Sequence, residues 1–198
     1  MLLVCNSELA AAVSNPPTYD ELLATADEED DEVGFQVIAL DPGGTTGFAI
    51  FQVHPLAMTG DVTIPVMSNV EWWKAGEFTG SQHDQIDQIL DMVEEWPHAR
   101  LVTEDFHLRQ ANAVLDPVEI NAVLTWACRP RYWVKQMSSL AMGTVTDDRQ
   151  KAWGYWIPGK PHARDAVKHA ITFLKRRKES EVNAARKLAT ARRTAGIV

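Results

Sequence analysis

The sequence predicts an α/β fold in which helices flank a mixed five-stranded sheet. Three strand-like segments come first, and strands then alternate with amphipathic helices in the order β-β-β-α-β-α-β-α. Pro42, Gly43 and Gly44 separate the first two apolar segments, and so short a link predicts an antiparallel hairpin. Strands that are connected through helices are expected to lie parallel, so the sheet as a whole should be mixed.

The periodicity of apolar residues places each predicted element. Short apolar segments predict strands at 35–41, 47–53, 68–76, 100–104 and 131–135. Apolar residues at helical spacing predict helices at 80–96, at 117–128, and from near His162 to beyond Lys175. Glycine and proline interrupt residues 137–160, where no element is predicted.

Charge divides the chain into three predicted parts. Residues 1–34 carry nine acidic residues and no Lys or Arg, which predicts an acidic tail that does not pack. The folded domain is predicted over 35–178, and a basic tail over 179–198. Residues 149–198 carry thirteen basic and three acidic residues, so a polyanion would meet a local positive field although the formal net charge is −8.

Several classes of protein are disfavoured by composition. The two cysteines, Cys5 and Cys128, form no disulfide or zinc pattern, so a reducing cytoplasm is the expected location. No run of apolar residues is long enough to predict a membrane span. The apolar residues at the start of the chain lack the basic flank of a secretory signal. We therefore expect a cytoplasmic protein that does not bind a membrane.

Three acidic residues lie where the predicted strands and helices would bring them together. Asp41 ends the first strand, Glu104 ends the fourth, and Asp165 lies in the first turn of the last helix. Carboxylates at one sheet edge repel each other unless a cation joins them, and two Mg²⁺ or Mn²⁺ ions held in this way can hydrolyse a phosphodiester. Taken singly, the three acids also fit a turn former, a solvated side chain and a residue that complements a helix dipole.

Three motifs, in this order, resemble those of the RuvC-type Holliday junction resolvases. The segment 37–43, VIALDPG, resembles their first-strand motif, and 101–104 with Phe106 resembles their second acidic motif. The segment 162–166, which His169 and Ala170 follow, is similar to their last motif. Residues 146–160 resemble phage-encoded members, and the likeness spans roughly residues 35–178.

This resemblance implies a ribonuclease H-like fold, a homodimer and two Mg²⁺ ions, for which Mn²⁺ can substitute. By matching motif, the catalytic residues and metal ligands would be Asp41, Glu104, His162 and Asp165. The implied function is a structure-selective DNA endonuclease that resolves Holliday junctions or other branched DNA by paired phosphodiester hydrolysis. It would act in DNA recombination and repair, in the host cytoplasm if a bacteriophage encodes the chain.

Basic residues, most of them in the C-terminal third, are predicted to bind DNA phosphates, although a solvated helix end would have a similar composition. The family's aromatic wedge residue would correspond to Phe106 or His107, and the sequence also leaves open whether Asp147 or Asp148 joins the site. The predicted DNA-binding residues are Phe106, Arg109, Arg149, Lys151, Lys160, Arg164, Lys168, Lys175, Arg176 and Arg177. Tryptophans 126, 133, 153 and 156 are expected to contribute to the core or to an interface, and the core is expected for most of them.

Three other functions remain open at this point. The same acids would serve a different ribonuclease H-like nuclease that cuts RNA–DNA hybrids or flaps. Residues 40–47 also resemble the first phosphate loop of sugar kinases and actin-like ATPases, although those proteins need two such domains and 35–178 supplies one. A non-catalytic DNA-binding module would keep the basic residues but would not need the three acids.

Overall fold

The computed structural model describes residues 34–54, 70–106, 115–128 and 133–194, with side chains described as far as Arg177. Apart from Gly34, the predicted acidic tail lies outside these residues, as do His107 and the predicted DNA contact Arg109. None of the described helices is long and apolar enough to cross a membrane.

The eight predicted elements are present in the predicted order, and the strands and the first two helices have boundaries within two residues of the predicted ones. The strands are β1 (Phe35–Asp41), β2 (Thr46–Val53), β3 (Val70–Phe78), β4 (Arg100–Glu104) and β5 (Trp133–Gln136). The helices are α1 (Gln82–Glu95), α2 (Asp116–Ala127), α3 (Ser138–Thr144), α4 (Asp147–Ala152) and α5 (Pro161–Thr194).

Two differences from the predicted elements concern the C-terminal part of the chain. Helices α3 and α4 lie in the segment where no element was predicted, because each is too short to show an apolar period. The Thr146 side chain caps α4 by accepting a hydrogen bond from the Arg149 backbone nitrogen. Helix α5 continues to Thr194, and therefore through much of the segment that was predicted as a basic tail.

The five strands form one mixed sheet in the order β3-β2-β1-β4-β5. Strand β2 is antiparallel to both β1 and β3, as the short hairpin link requires. Strand β4 is parallel to β1, and β5 is parallel to β4; helix α1 joins β3 to β4, and α2 joins β4 to β5. The predicted α/β fold class, a mixed five-stranded sheet with flanking helices, is therefore confirmed.

Alternation along the strands gives the sheet two apolar faces. Val37, Ala39 and Val102 pack with α5 in one core, whereas Ile38 and Leu101 pack with α1 and α2 in the other. The same alternation decides which face of the sheet the acidic side chains at the strand ends point to. Asp41 continues the set of Val37 and Ala39, and Glu104 continues that of Val102, so both point to the face that α5 covers.

A close approach of backbone to backbone fixes where α5 crosses this face. A Cβ atom at Gly47 would lie 1.9 Å from the carbonyl oxygen of His162, so only glycine fits beneath the first turn of α5. Beside it, Glu77 Oε1 accepts hydrogen bonds from the backbone nitrogens of His162 (3.0 Å) and Ala163 (3.4 Å). The carboxylate of β3 thus satisfies two donors that have no partner within the helix.

Replacing Gly47 with alanine should destabilise the protein, since the new methyl group cannot fit unless β2 and α5 move apart. We expect the free energy of unfolding to fall by about 3 kcal/mol, the upper part of the usual range for overpacking, as measured by urea denaturation. Gly143→Ala is the matched control, because a Cβ there meets nothing within 4 Å. This control should gain about 0.5–1 kcal/mol from helix propensity. Wild-type stability of G47A would contradict the close approach.

Candidate metal centre

A row of polar residues and one glycine crosses all five strands on the face that α5 covers. Glu77 pairs with Gly47, and Gly47 pairs with Asp41. Asp41 and Glu104 lie one position beyond the last parallel pair of β1 and β4, and Glu104 pairs with Gln136 of β5. Paired residues on neighbouring strands point to the same face, so the row offers one set of side chains to the helix above it.

Helix α5 contributes a second set of polar side chains to this site. His162, Asp165 and His169 recur at spacings of three and four, so they lie on one side of the helix. A hydrogen bond of 3.0 Å joins His162 Nδ1 and Asp41 Oδ2. The negative charge of Asp165 contributes to raising the pKa of Asp41, so Asp165 lies near enough to interact with it electrostatically.

His169 is a member of this centre that the sequence motif did not assign. Asp41, Glu104 and His169 each offer one ligand atom, and these three atoms all lie within 4.8 Å of one another. The sequence carried a signal for it, since His169 is one helical turn beyond Asp165 on the same side of α5. That signal is weak by itself, because a histidine in an apolar helix is commonly a core residue.

Electrostatics at Asp41 favour a bound cation. Burial, the hydrogen bond and charge of Glu104, and the charge of Asp165 together raise the pKa of Asp41 to about 9. Lys168 opposes this effect but does not outweigh it. At neutral pH Asp41 would therefore hold a proton unless a cation replaces it. The carboxylate oxygens of Asp41 and Glu104 suit a divalent ion that prefers oxygen ligands.

His169 is held neutral by its surroundings. Burial lowers the pKa of the His169 imidazole to about 4, and the charge of Asp165 opposes this effect only in part. Its Nδ1 lies 3.3 Å from the Gln136 side-chain oxygen. Its Nε2 is buried and has no hydrogen-bond partner among the described residues. A neutral imidazole with a free nitrogen is the form that binds metals.

Lys168, a predicted DNA contact, is engaged inside the protein. Its residue is 8% exposed, and its ammonium donates to Asp165 Oδ1 and Asp147 Oδ1, both at 2.9 Å. The hydrogen bond from Lys168 lowers the pKa of Asp147. Lys168 therefore links Asp147 to Asp165, which belongs to the predicted metal set. Asp148 is 96% exposed at its side chain and lies 3.7 Å from Lys151 Nζ.

The remaining predicted DNA contacts that the structure describes differ in exposure. Arg177 is 3% exposed, and its guanidinium lies 4.3 Å from the centre of the Phe35 ring, so it belongs to the core. Arg149, Lys151, Lys160 and Arg176 are exposed, and Phe106, Arg164 and Lys175 are half-buried.

One tryptophan lies among these basic residues. Trp156 is half-buried, and two cations lie over its ring, with Lys151 Nζ at 4.5 Å and Arg164 Cζ at 4.3 Å from the ring centre. Trp133 and Trp153 pack against the two cores as predicted. Trp126 is 80% exposed, so it lies outside the core. It lies on the side of α2 opposite to the buried residues Ile120 and Leu124.

Comparisons with known proteins concern the fold. No protein-family model matches the chain, and no curated protein matches it. Among solved structures, the chain is similar to the Thermus thermophilus RuvC structure, with 17% identity and a TM-score of 0.44, over 72% of this chain and 96% of that chain. It is also similar to T. thermophilus RuvC in complex with Holliday junction substrate, with 15% identity and a TM-score of 0.45 over the same shares. Such low identities assign no role to any residue of this chain.

Asp41→Asn should stabilise the metal-free protein at alkaline pH. The folded protein retains a proton on Asp41 up to about pH 9, whereas the unfolded chain releases it near pH 3.8, so wild-type stability must fall as pH rises between these values. Asparagine removes this dependence. We expect a gain of at least about 2 kcal/mol at pH 8, since each pKa unit is worth about 1.4 kcal/mol.

Thermal unfolding between pH 5 and pH 9 measures this effect, with EDTA or with added Mn²⁺. Mn²⁺ should raise the wild-type melting temperature most at high pH and should leave that of D41N nearly unchanged. Asp91→Asn, an exposed position on α1, is the control and should behave as wild type. A melting temperature of D41N that falls with pH as steeply as that of the wild type would refute the assignment of the proton to Asp41.

Proposed function

We propose that this chain is a metal-dependent endonuclease that cuts branched DNA such as Holliday junctions. One observation carries the proposal. Asp41 and Glu104 lie side by side at the carboxyl ends of two parallel strands, with a ligand atom of His169 within 4.8 Å of both. A pair of adjacent, largely buried carboxylates is unfavourable without a cation, and such cation sites are used to hydrolyse phosphodiesters.

The metal ligands in this proposal are Asp41, Glu104, His162 and Asp165. When bound, two Mg²⁺ or Mn²⁺ ions supply an activated water and stabilise the charge on the leaving oxygen. Asp41 lies between Glu104 on the adjacent strand and His162 on the helix, so it would contribute to holding both ions. Asp165 is oriented by Lys168, whose ammonium holds one of its oxygens.

His162 lies at the opening of this centre. Its side chain is 41% exposed, whereas that of Asp41 is 11% exposed. A phosphate that approaches from solvent would therefore meet His162 before it meets the carboxylates. His162 either completes a metal shell or accepts a proton at the entrance. The backbone hydrogen bond from His162 to Glu77 keeps the residue in this position.

Basic residues of α4 and of the start of α5 form the proposed DNA surface. Arg149 and Lys151 lie in α4, Lys160 directly precedes α5, and Arg164 lies in the first turn of α5. Phosphate contacts from such residues position a duplex without selecting its sequence. Lys168 and Arg177 are left out of this surface, because the first is paired with two carboxylates and the second is buried.

A groove beside Glu104 favours branched DNA over a linear duplex. It has a volume of about 360 Å³ and includes Phe106, Asn121 and Lys135 in its lining. An aromatic ring, an amide and an ammonium can stack on, pair with and neutralise an unstacked nucleotide. Unpaired or weakly stacked bases occur at a branch point, and Phe106 is only two residues beyond Glu104.

Cleavage of a labelled four-way junction tests the proposed function, beside a linear duplex, a flap and an RNA–DNA hybrid. Mg²⁺ or Mn²⁺ should support paired nicks in the junction, and EDTA should prevent them. D41N and Glu104→Gln should lower the cleavage rate at least about 100-fold, because each removes a metal ligand, while junction binding persists. Paired nicks also require two sites, so the active species should be a homodimer by sedimentation.

Other substrates in the same assay separate the alternatives. Cleavage of the hybrid or the flap in preference to the junction would keep the metal centre and change the substrate. Junction binding without cleavage of any substrate would instead favour a non-catalytic DNA-binding module. Nucleotide binding with no affinity for DNA would favour the phosphate-loop ATPase.

Trp156→Leu should weaken DNA binding, because the Trp156 ring holds the side chains of Lys151 and Arg164. Without the ring, Lys151 and Arg164 lose the surface that holds them near the start of α5, so fewer phosphates are neutralised. The slope of log K against log salt should become shallower by about 1 to 2, since each phosphate contact contributes roughly 0.9. Fluorescence anisotropy with a labelled junction at 50–200 mM salt measures the slope.

Trp156→Phe is the matched control, because phenylalanine keeps an aromatic face beneath both cations. It should retain most of the wild-type slope. A slope that is equal in W156L and the wild type would show that these two cations do not contact phosphate.

A further inference from the structure

The metal centre has a side chain that approaches it from the core. His169 is fully buried, with 0% exposure, on the side of α5 that faces Asp41 and Glu104. His162, the histidine of the resemblance, approaches from the solvent side instead. The two histidines are seven residues apart on the helix, so they lie two turns apart along the same stripe.

The buried nitrogen of His169 lacks a partner. Nε2 is inaccessible to solvent and makes no hydrogen bond with any residue that the structure describes. Buried polar atoms nearly always have a partner, because leaving one unsatisfied costs free energy. A cation between Asp41 and Glu104 would supply that partner.

Gln136 controls which nitrogen of His169 is available. With the amide oxygen of Gln136 facing Nδ1 at 3.3 Å, Nδ1 carries the proton and Nε2 keeps its lone pair. With the amide rotated, its nitrogen would donate to Nδ1 at 3.3 Å and to the His169 carbonyl oxygen at 3.2 Å, its oxygen would accept from the Phe173 backbone nitrogen at 3.3 Å, and Nε2 would carry the proton. The rotated amide satisfies more partners in the metal-free protein, and a metal on Nε2 would select the other orientation. Partners of this kind orient most histidines that bind metals.

The spacing of the three ligand atoms is close to that of a shared ion. Two ligands of one ion lie at most about 4.4 Å apart, twice a bond of about 2.2 Å. The ligand atoms of Asp41, Glu104 and His169 lie within 4.8 Å of one another, so shifts of a few tenths of an ångström suffice.

We propose that His169 is a direct ligand of the ion that Asp41 and Glu104 bind, and that this nitrogen ligand makes the site prefer Mn²⁺ to Mg²⁺. This inference depends on the proposed function in one respect: a divalent ion has to bind at the Asp41 and Glu104 carboxylates. Mg²⁺ selects oxygen ligands and keeps much of its water, whereas imidazole binds transition metals more strongly. Wild-type protein should bind Mn²⁺ at least about tenfold more tightly than Mg²⁺, by calorimetry.

Pulsed electron paramagnetic resonance of Mn²⁺ bound to the full-length chain detects a directly bound nitrogen, and the His162→Gln variant makes the result specific. This variant keeps His169 intact and changes only a part-exposed residue, so it should fold. Nitrogen coupling should persist in H162Q and disappear in the double variant H162Q/H169Q. Circular dichroism verifies that the double variant is folded, and His98→Gln, at an exposed position, is the control for histidine loss.

The preference between ions provides a second readout. Mn²⁺ affinity should fall about 10- to 100-fold in His169→Gln, while Mg²⁺ affinity changes much less, which a merely structural role would not produce. Absence of nitrogen coupling in Mn²⁺-loaded H162Q would overturn the role of His169. If junction cleavage by the same preparation persisted, the proposed nuclease would stand without it. Failure of the wild-type chain to bind Mn²⁺ at all would overturn both.

Discussion

Adjacent carboxylates with little access to water place the strongest constraint on this structure. Asp41 and Glu104 end two parallel strands that pair directly, so the sheet itself brings the charges together. Burial and mutual repulsion raise the pKa of Asp41 to about 9. The arrangement is therefore stable at neutral pH only with a proton or a cation between the two side chains. The chemistry of the whole centre follows from that requirement.

The second determinant is the path of α5 across the sheet. Glu77 and Gly47 belong to the same row of paired residues as Asp41, and both contact the first turn of the helix. One provides hydrogen-bond acceptors for the helix start, and the other provides space. Together they place His162 over Asp41, and the helical period then brings His169 to the same centre two turns later.

Cations near the centre divide between internal and external roles. Lys168 is on the same helix as the acids and neutralises Asp165 and Asp147 from within the protein. Lys151 and Arg164 remain at the surface, where the Trp156 ring holds them. All three belong to the basic C-terminal segment of the chain. Only their burial and partners distinguish a structural cation from one that is available to phosphate.

The sequence by itself determined the order of the elements and the presence of acids at the ends of β1 and β4, because both depend on local periodicity and on strand-ending residues. It also placed Asp165 in the first turn of α5. Only the tertiary structure decided that His169 joins the acids, that Lys168 and Arg177 turn inward, and that Trp126 is exposed. These features depend on where one element crosses another, and that crossing is set by contacts between residues far apart in the chain, which no local pattern encodes.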